Sequence, residues 1–159
     1  MATLKIDIIA VGKLKERFWA EACAEYLKRL TPYAEIQIKE VDDISPVRVG
    51  SSERSLELEA AGIRASLAAS TSIIVLDRQG VEQTSEQIAE LLQTYLENRA
   101  HHVSFIIGGS DGLSSGLIRQ ADKTVSFGSI TLPHNLARVV LLEQLYRAFK
   151  IIRNEPYHK

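Results

Sequence analysis

The sequence has one cysteine, no long apolar run and almost no net charge, and each of these absences excludes a class of protein. A lone Cys23 excludes an intrachain disulfide and a multi-cysteine metal site, which favours a reducing compartment. Lys5 and Asp7 interrupt the segment that would have to be the apolar core of a signal peptide. No later apolar run is long enough to span a bilayer. We therefore expect a soluble cytoplasmic protein with no membrane partner.

Global charge and nucleotide-binding fingerprints are also missing. The formal net charge of −1 over 159 residues gives no general attraction to nucleic acid, so any RNA binding needs a local basic patch. Neither a Gly-x-Gly-x-x-Gly fingerprint nor a Walker loop with its lysine occurs, which disfavours a classical nicotinamide or ATP site. His101 and His102 would point to opposite faces of a strand, and no acidic or cysteine cluster accompanies them. We therefore predict no metal.

Strand-like and helix-like patterns alternate along the chain. Apolar runs typical of buried strands cover residues 6–11, 72–76, 103–107 and 124–127. Residues 35–41 alternate polar and apolar side chains, which predicts a strand nearer the sheet edge. Amphipathic stripes predict helices between these strands and a long last helix after residue 134. Because alternating strands and helices build a parallel sheet covered on both faces, we predict one three-layer α/β domain over residues 1–159.

Local features add detail to this predicted fold. Residues 42–52 are expected to be a loop, and residues 77–80 are expected to turn the chain away from its strand. Thr84 and Gln87 have the spacing of a capping box at a helix start. The helix around residues 56–67 is expected to carry a solvated outer face, formed by Glu53, Arg54, Glu57 and Glu59.

Three loops are the candidate ligand sites, because open α/β sheets bind ligands beyond the carboxyl ends of their strands. These loops follow Leu76, span residues 108–112 and span residues 127–134. Gly108 and Gly109 lack side chains, so the backbone there can approach a flat ligand closely or adopt a positive φ. A tight strand-to-helix turn explains the same two glycines equally well, and both interpretations stay open at this point.

The last helix and its tail carry the local basic patch. From residue 131 onward, the sequence contains five Lys or Arg residues and two Glu residues. This excess of positive charge suits a phosphate-bearing partner. Lys150 and Arg153 can instead be charges that complement the helix dipole. Arg138 lies in the first turn, where a positive charge opposes the dipole, which favours a pairing or functional role. His134, beside a proline, is either a helix cap or a contact to substrate. Extra apolar side chains along this helix predict burial against a second surface.

Several motifs together resemble one family, the ribosomal large-subunit methyltransferase H family of the SPOUT, or α/β-knot, superfamily. The resemblance covers nearly the whole chain, and its motifs are AVGKLK at 10–15, FIIGGSDG at 105–112, LPH at 132–134, RVV at 138–140, EQLYRA at 143–148 and PYH at 156–158. Lys159 in place of an arginine is a mild departure that keeps the terminal charge.

This resemblance implies a trefoil knot in the C-terminal half and an obligate homodimer whose interface includes the last helix. It also implies an activity, the methylation of N3 of a pseudouridine in 23S ribosomal RNA with S-adenosylmethionine. The implied cofactor residues are Leu76, Gly108, Gly109, Phe127, Gly128, Ser129, Ile130, Thr131 and Leu132.

The chemistry and the substrate contacts are predicted at the last helix and the tail. N3 must lose a proton as it attacks the methyl group, so a nearby base or a stabilising cation helps the reaction. We predict catalytic roles for His134, Arg138 and Glu143, with His134 orienting or deprotonating the base and Glu143 orienting a cation. Arg138, Tyr157, His158 and Lys159 are predicted to hold the nucleotide, the tail reaching into the partner's active site.

Two alternatives compete with this interpretation. One is a non-catalytic module that binds ribosomes, with purely structural glycine loops. The other is a small-molecule enzyme on a flavodoxin-like sheet, which the missing fingerprints disfavour. Because the net charge gives no strong general affinity for RNA, we expect a shaped site on the assembled ribosome as the substrate, rather than free RNA.

Overall fold

The computed structural model describes residues 3–99 and 102–157. Within them the chain forms five strands and six helices. In chain order these are β1 (Lys5–Val11), α1 (Arg17–Leu30), β2 (Glu35–Val41), α2 (Pro46–Val49), α3 (Ser52–Ser66), β3 (Ser72–Glu82), α4 (Ser85–Glu97), β4 (His102–Ile107), α5 (Ser115–Gln120), β5 (Lys123–Ser126) and α6 (His134–Ile152).

The five strands form one parallel sheet in the order β2-β1-β4-β3-β5. Helices α1, α4 and α6 pack on one face of the sheet, and α3 and α5 pack on the other. The interior strand β1 is buried from Ile6 to Val11, because side chains of both its faces meet helices. The predicted three-layer α/β fold is therefore confirmed, and β2 lies at an edge as its alternating pattern indicated.

Strand β3 departs from the prediction that residues 77–80 turn the chain away. The strand continues to Glu82, and its pairing with β5 is interrupted between Leu76 and Val81 and then resumes. A Cβ on Gly80 would lie 2.8 Å from the backbone of Thr124, so glycine permits the close approach that restores the ladder. Residues 77–80 form a bulge within a longer strand, and this bulge borders the site described below.

Helix α3 contradicts part of the predicted solvated face. Glu59 is only 5% exposed, and its Oε2 accepts a hydrogen bond from the Ile44 backbone N–H at 2.9 Å. The loop predicted at residues 42–52 folds over this helix and contains the short helix α2. Because the covering loop removes solvent, burial raises the pKa of the Glu59 carboxyl.

The predicted helix features are found in α4 and α6. Thr84 and Gln87 form the capping box, with the two backbone-to-side-chain hydrogen bonds at 2.8 and 3.1 Å. Helix α6 packs against both α1 and α4, which buries part of its apolar surface within this chain. Among the described residues, no helix combines the length and the apolar character that a membrane span requires.

Candidate active site

A cleft of about 820 Å³ opens at the carboxyl edge of the sheet, beside the bulge of β3 and beyond the ends of β4 and β5. The three loops that the sequence predicted as ligand sites meet here. Its lining residues are Leu76, Asp77, Arg78, Gln79, Ile107, Gly108, Gly109, Ser110, Asp111, Gly112, Val125, Phe127, Gly128, Ile130, Thr131, Leu132, Pro133, His134 and Ala137.

Most of the predicted cofactor residues line this cleft. Eight of the nine do so, and the exception is Ser129, which is exposed and is not among the lining residues. Of the residues predicted to be catalytic, His134 lies in the lining, whereas Arg138 and Glu143 do not. The fold therefore gathers most of the predicted cofactor residues in one cleft with His134. Arg138 and Glu143 lie outside the lining of this cleft.

Close contacts between its own backbone atoms fix the shape of the glycine turn after β4. A Cβ on Gly108 would lie 2.5 Å from the carbonyl oxygen of Gly112. The Gly112 N–H donates to the Gly109 carbonyl at 3.1 Å, and Gly112 has a φ of +81°, which favours glycine. The tight-turn interpretation thus explains Gly108, and the backbone of the same turn forms a wall of the cleft.

The opposite wall depends on residues that sequence reasoning missed. The Arg78 Nη1 donates to Thr131 Oγ1 at 2.7 Å, which joins the β3 bulge to the loop after β5. The buried Ser126 hydroxyl accepts from the Gly128 N–H at 3.1 Å and lies 3.1 Å from the Arg78 carbonyl oxygen. The sequence did not predict these contacts, because its pattern indicated a turn at residues 77–80 rather than a continuing strand.

His134 is the first residue of α6, and Pro133 rather than His134 occupies the cap position. No side-chain hydrogen bond caps this helix, so the cap interpretation of His134 is wrong. Its Nε2 lies 3.9 Å from the position that a Cβ on Gly12 would occupy. The imidazole therefore stands between the cleft and the end of β1.

Arg138 lies one turn after His134 and is only 2% exposed. Its Nη1 is 2.8 Å from Glu40 Oε2, and its Nη2 donates to the Gly12 carbonyl at 3.2 Å. The same Glu40 oxygen accepts from the Leu14 N–H at 3.2 Å. The pairing role predicted from the opposing helix dipole is confirmed, and the pair fixes the loop after β1 against α6.

Cys23, on α1, lies near the Arg138–Glu40 pair, and both charges affect the pKa of its thiol. It is buried, and burial raises the pKa of its thiol. A thiol in such surroundings is a packing group rather than a nucleophile.

Glu143, in the middle of α6, and Tyr157, in the tail that follows this helix, lie together, and neither is among the residues that line the cleft. Glu143 Oε1 is 2.7 Å from Arg147 Nη2 and accepts from the Tyr157 hydroxyl at 3.3 Å. Burial, followed by the nearby Glu143 charge, raises the pKa of Tyr157. The cation that Glu143 orients is therefore Arg147, not Arg138. His158 and Lys159 lie outside the described residues.

The basic patch predicted on α6 is largely neutralised by ion pairs. Arg138 pairs with Glu40, Arg147 with Glu143, and Lys150 with Glu155 at 2.9 Å. Arg153 lies over the Tyr33 ring, 4.6 Å from its centroid. Glu143 and Glu155 already belong to the count along the sequence, so Glu40 is the added carboxylate, and it lowers the excess of positive charge by one.

The described residues contain no group of three or more ligands that could hold a metal ion. His102 Nε2 lies 2.8 Å from Asp7 Oδ2, which Lys39 also contacts at 2.8 Å, so this histidine belongs to an ion-pair cluster. His101 lies outside the described residues.

The chain is an α/β domain with a parallel sheet, and its cleft lies at the carboxyl edge, where sheets of this class bind small ligands. The chain matches the family model described as "Predicted SPOUT methyltransferase" over residues 4–158. It is 46% identical to "Ribosomal RNA large subunit methyltransferase H" of Carboxydothermus hydrogenoformans and 44% identical to the protein of that name in Listeria welshimeri. Each alignment covers 98% of this chain and 100% of the relative.

Two solved structures share this fold at low sequence identity. A probable methyltransferase from Bordetella pertussis has a TM-score of 0.59 and 12% identity, covering 92% of this chain and 95% of that one. A probable methylase family protein from Haemophilus influenzae has a TM-score of 0.54 and 14% identity, covering 99% and 71%. The chain belongs to the SPOUT methyltransferases and, within them, to the ribosomal RNA large subunit methyltransferase H family.

Proposed function

We propose that this protein transfers a methyl group from S-adenosylmethionine to N3 of a pseudouridine in 23S ribosomal RNA. We propose further that it acts in the cytoplasm, as a homodimer, on the assembled ribosome. The observation that carries the proposal is the cleft, which gathers eight of the nine predicted cofactor residues and His134 at one edge of the sheet. The names of the curated relatives support the ribosomal substrate.

The lining of the cleft fits S-adenosylmethionine. A volume of about 820 Å³ lies in the range of small-molecule sites, which combine apolar walls with a few polar groups. Leu76, Ile107 and Leu132 supply apolar surface, while the turn at 108–112 and the loop at 127–132 bring backbone groups to the same cleft. Asp77 and Asp111 add negative charge that suits a cationic ligand. When bound, this cofactor supplies an electrophilic methyl group on a sulfonium.

We propose that His134, which lines the cleft, handles the proton of the target base. N3 of a uracil-like ring must lose its proton as it attacks the methyl group, and a neutral imidazole can accept that proton at Nε2. Arg138 acts as a positioning residue, because it is buried and its guanidinium is bonded to Glu40 and Gly12. Since the methyl donor is already reactive, correct placement of the base supplies much of the acceleration.

The homodimer would bring the tail to the active site. Glu143 is bonded to both Arg147 and Tyr157, and none of the three lines the cleft of its own chain. A second copy packed against α6 can present these residues, with His158 and Lys159, to the partner's cleft. The trefoil knot implied by the family belongs to the same proposal.

The test is the transfer of labelled methyl from S-adenosylmethionine to naked 23S RNA, large subunits and whole ribosomes from cells that lack this protein. We expect label on a single pseudouridine, with whole ribosomes as the best substrate. Binding of S-adenosylmethionine, measured by calorimetry, provides a separate readout. Ribosome binding without cofactor binding or label would contradict the proposal and favour the non-catalytic module.

His134→Ala separates the two roles predicted for the imidazole. Loss of turnover at saturating substrate, with cofactor affinity unchanged, is the expected result for a residue that acts on the target base. Full turnover in this variant would remove the proton-accepting role and leave a contribution to substrate binding alone.

A further inference from the structure

The segment between β1 and α1 presents basic side chains, and the first turn of α1 presents aromatic ones. Lys13 and Lys15 are exposed, and neither forms an ion pair with any residue in the described ranges 3–99 and 102–157. Phe18 is 61% exposed, and its ring centroid lies 4.9 Å from that of Trp19. We refer to Lys13, Lys15, Phe18 and Trp19 as the entry surface.

The start of this segment lies beside His134 of the cleft lining and is held there by contacts of Gly12 and Leu14. The entry surface follows Gly12, whose carbonyl accepts from Arg138 and whose N–H donates to Val41 at 2.8 Å. The Leu14 N–H is bonded to Glu40, which pairs with Arg138. His134 approaches Gly12 from the side of the cleft. The segment is therefore fixed beside the group proposed to act on the target base.

The chemistry of the entry surface matches single-stranded or looped RNA. Unpaired lysines contact phosphates, and exposed aromatic rings stack on unstacked bases. A protein partner would instead favour a surface depleted of lysine. Arg17 differs from the two lysines because it pairs with Glu21 at 2.6 Å on the same helix.

We propose that the entry surface contacts the ribosomal RNA that flanks the target nucleotide, with Lys13 and Lys15 on phosphates and Phe18 stacked on a base. This inference rests on the proposed function, because it assigns a further contact to the same substrate. It adds an RNA-binding region in a part of the chain remote in sequence from the last helix and the tail.

The first test compares Lys13→Gln/Lys15→Gln with a matched control, Lys5→Gln/Lys123→Gln. Lys5 and Lys123 are also exposed, but they begin β1 and β5 and so lie at the opposite edge of the parallel sheet. Binding to purified large subunits and whole ribosomes is measured by co-sedimentation over a series of salt concentrations. The entry-surface pair should weaken binding roughly 5- to 10-fold at low salt and reduce the salt slope by about 2. The control pair should match the unmodified protein.

The second test compares Phe18→Ala with Leu58→Ala, which removes an exposed apolar side chain from α3. Loss of stacking should lower ribosome affinity by about fivefold or more, and Phe18→Trp should restore it. The KM for ribosomes should rise in the same proportion, with kcat and the affinity for S-adenosylmethionine unchanged. Leu58→Ala should have no effect on any of these quantities.

Three outcomes would overturn the inference. They are unchanged binding and salt slope in the lysine variant, equal losses in the matched controls, and a shift in self-association on Phe18→Ala, which would assign the surface to a second copy of the chain. If the unmodified protein binds ribosomes but transfers no methyl group, the proposed function fails. A loss of that binding in the entry-surface variants would still support the RNA contact.

Discussion

The cations of α6 and those of the entry surface differ in what they contact. Arg138, Arg147 and Lys150 each have a carboxylate within 2.9 Å. Lys13 and Lys15 are exposed and form no ion pair within the part of the chain that the structure describes. The first group is paired within the fold, by contacts to β2, along α6 or to the segment after it, and the second remains available to an external anion. A count of charges along a sequence does not distinguish these two states.

Breaking the Arg138 pair should have the largest effect on stability. Arg138→Met removes a buried guanidinium and leaves Glu40 without its partner, and loss of one member of such a pair is strongly destabilising. Since the Glu40 side chain is 34% exposed, we expect a loss of about 2–3 kcal/mol in the free energy of unfolding, measured by urea denaturation.

Arg147→Met is the comparison for this variant. Its pair with Glu143 joins residues four apart on one helix, and its guanidinium lies 4.8 Å from the Tyr157 ring centroid, so a smaller loss of about 1 kcal/mol is expected. Equal losses in the two variants would contradict the view that Arg138 has a special positioning role.

A substitution in the glycine turn that lines the cleft should reduce stability by nearly as much as Arg138→Met. Gly108→Ala places a Cβ against the Gly112 backbone, and overpacking of this kind costs about 1–3 kcal/mol. The affinity for S-adenosylmethionine should fall with it, because the same turn lines the cleft. Thermal unfolding and calorimetry measure the two effects, and neither should depend on the lysines of the entry surface.

Gly116→Ala is the matched control. A Cβ there would meet the ends of two flexible side chains, Arg64 at 3.5 Å and Arg119 at 3.9 Å, and position 116 lies within helix α5. The substitution should leave stability unchanged or raise it by up to about 1 kcal/mol. Destabilisation of both variants to the same extent would show that the contact with Gly112 is not the cause.

Lowering the pH should protonate Glu155 and leave Lys150 of α6 without its ion-pair partner, so that it resembles the lysines of the entry surface. The hydrogen bond from Lys150, and then that from Tyr33, lowers the pKa of Glu155 below its usual 4.5. A carboxyl whose pKa is lowered by folding stabilises the fold above its unfolded pKa, and this contribution is lost as the pH falls through the folded value. The Tyr33 ring signals in an NMR titration should therefore shift at a pH below about 4.5.

Glu155→Gln should remove that transition. It should also steepen the salt dependence of ribosome binding slightly at neutral pH, because Lys150 loses its carboxylate. A wild-type transition retained in this variant would assign the titration to another carboxyl.

The sequence predicted those parts of the molecule that depend on local pattern. The bounds of β2 follow from its alternation, the start of α4 follows from Thr84 and Gln87, and the pairing of Arg138 follows from its place near a helix start. The three loops of the cleft follow from the rule that parallel strands present their carboxyl ends together.

The failures come from contacts between distant segments. Glu59 was predicted to be solvated because no helical pattern shows that residues 42–45 fold over it. The bulge at residues 77–80 was predicted as a turn because its continuation as a strand depends on Gly80 meeting Thr124. The basic patch was overestimated because Glu40 lies almost a hundred residues before the arginine it neutralises.

The most direct test of the account is to map the methyl group on 23S RNA after reaction of whole ribosomes with the purified protein and S-adenosylmethionine. Mass spectrometry of nuclease fragments identifies the modified nucleotide and the position on its base. The account predicts one modified nucleotide, a pseudouridine carrying its methyl group on N3, in ribosomes from cells that lack the protein. Methylation at another base or on a ribose, or no methylation by protein that binds both ribosome and cofactor, would contradict it.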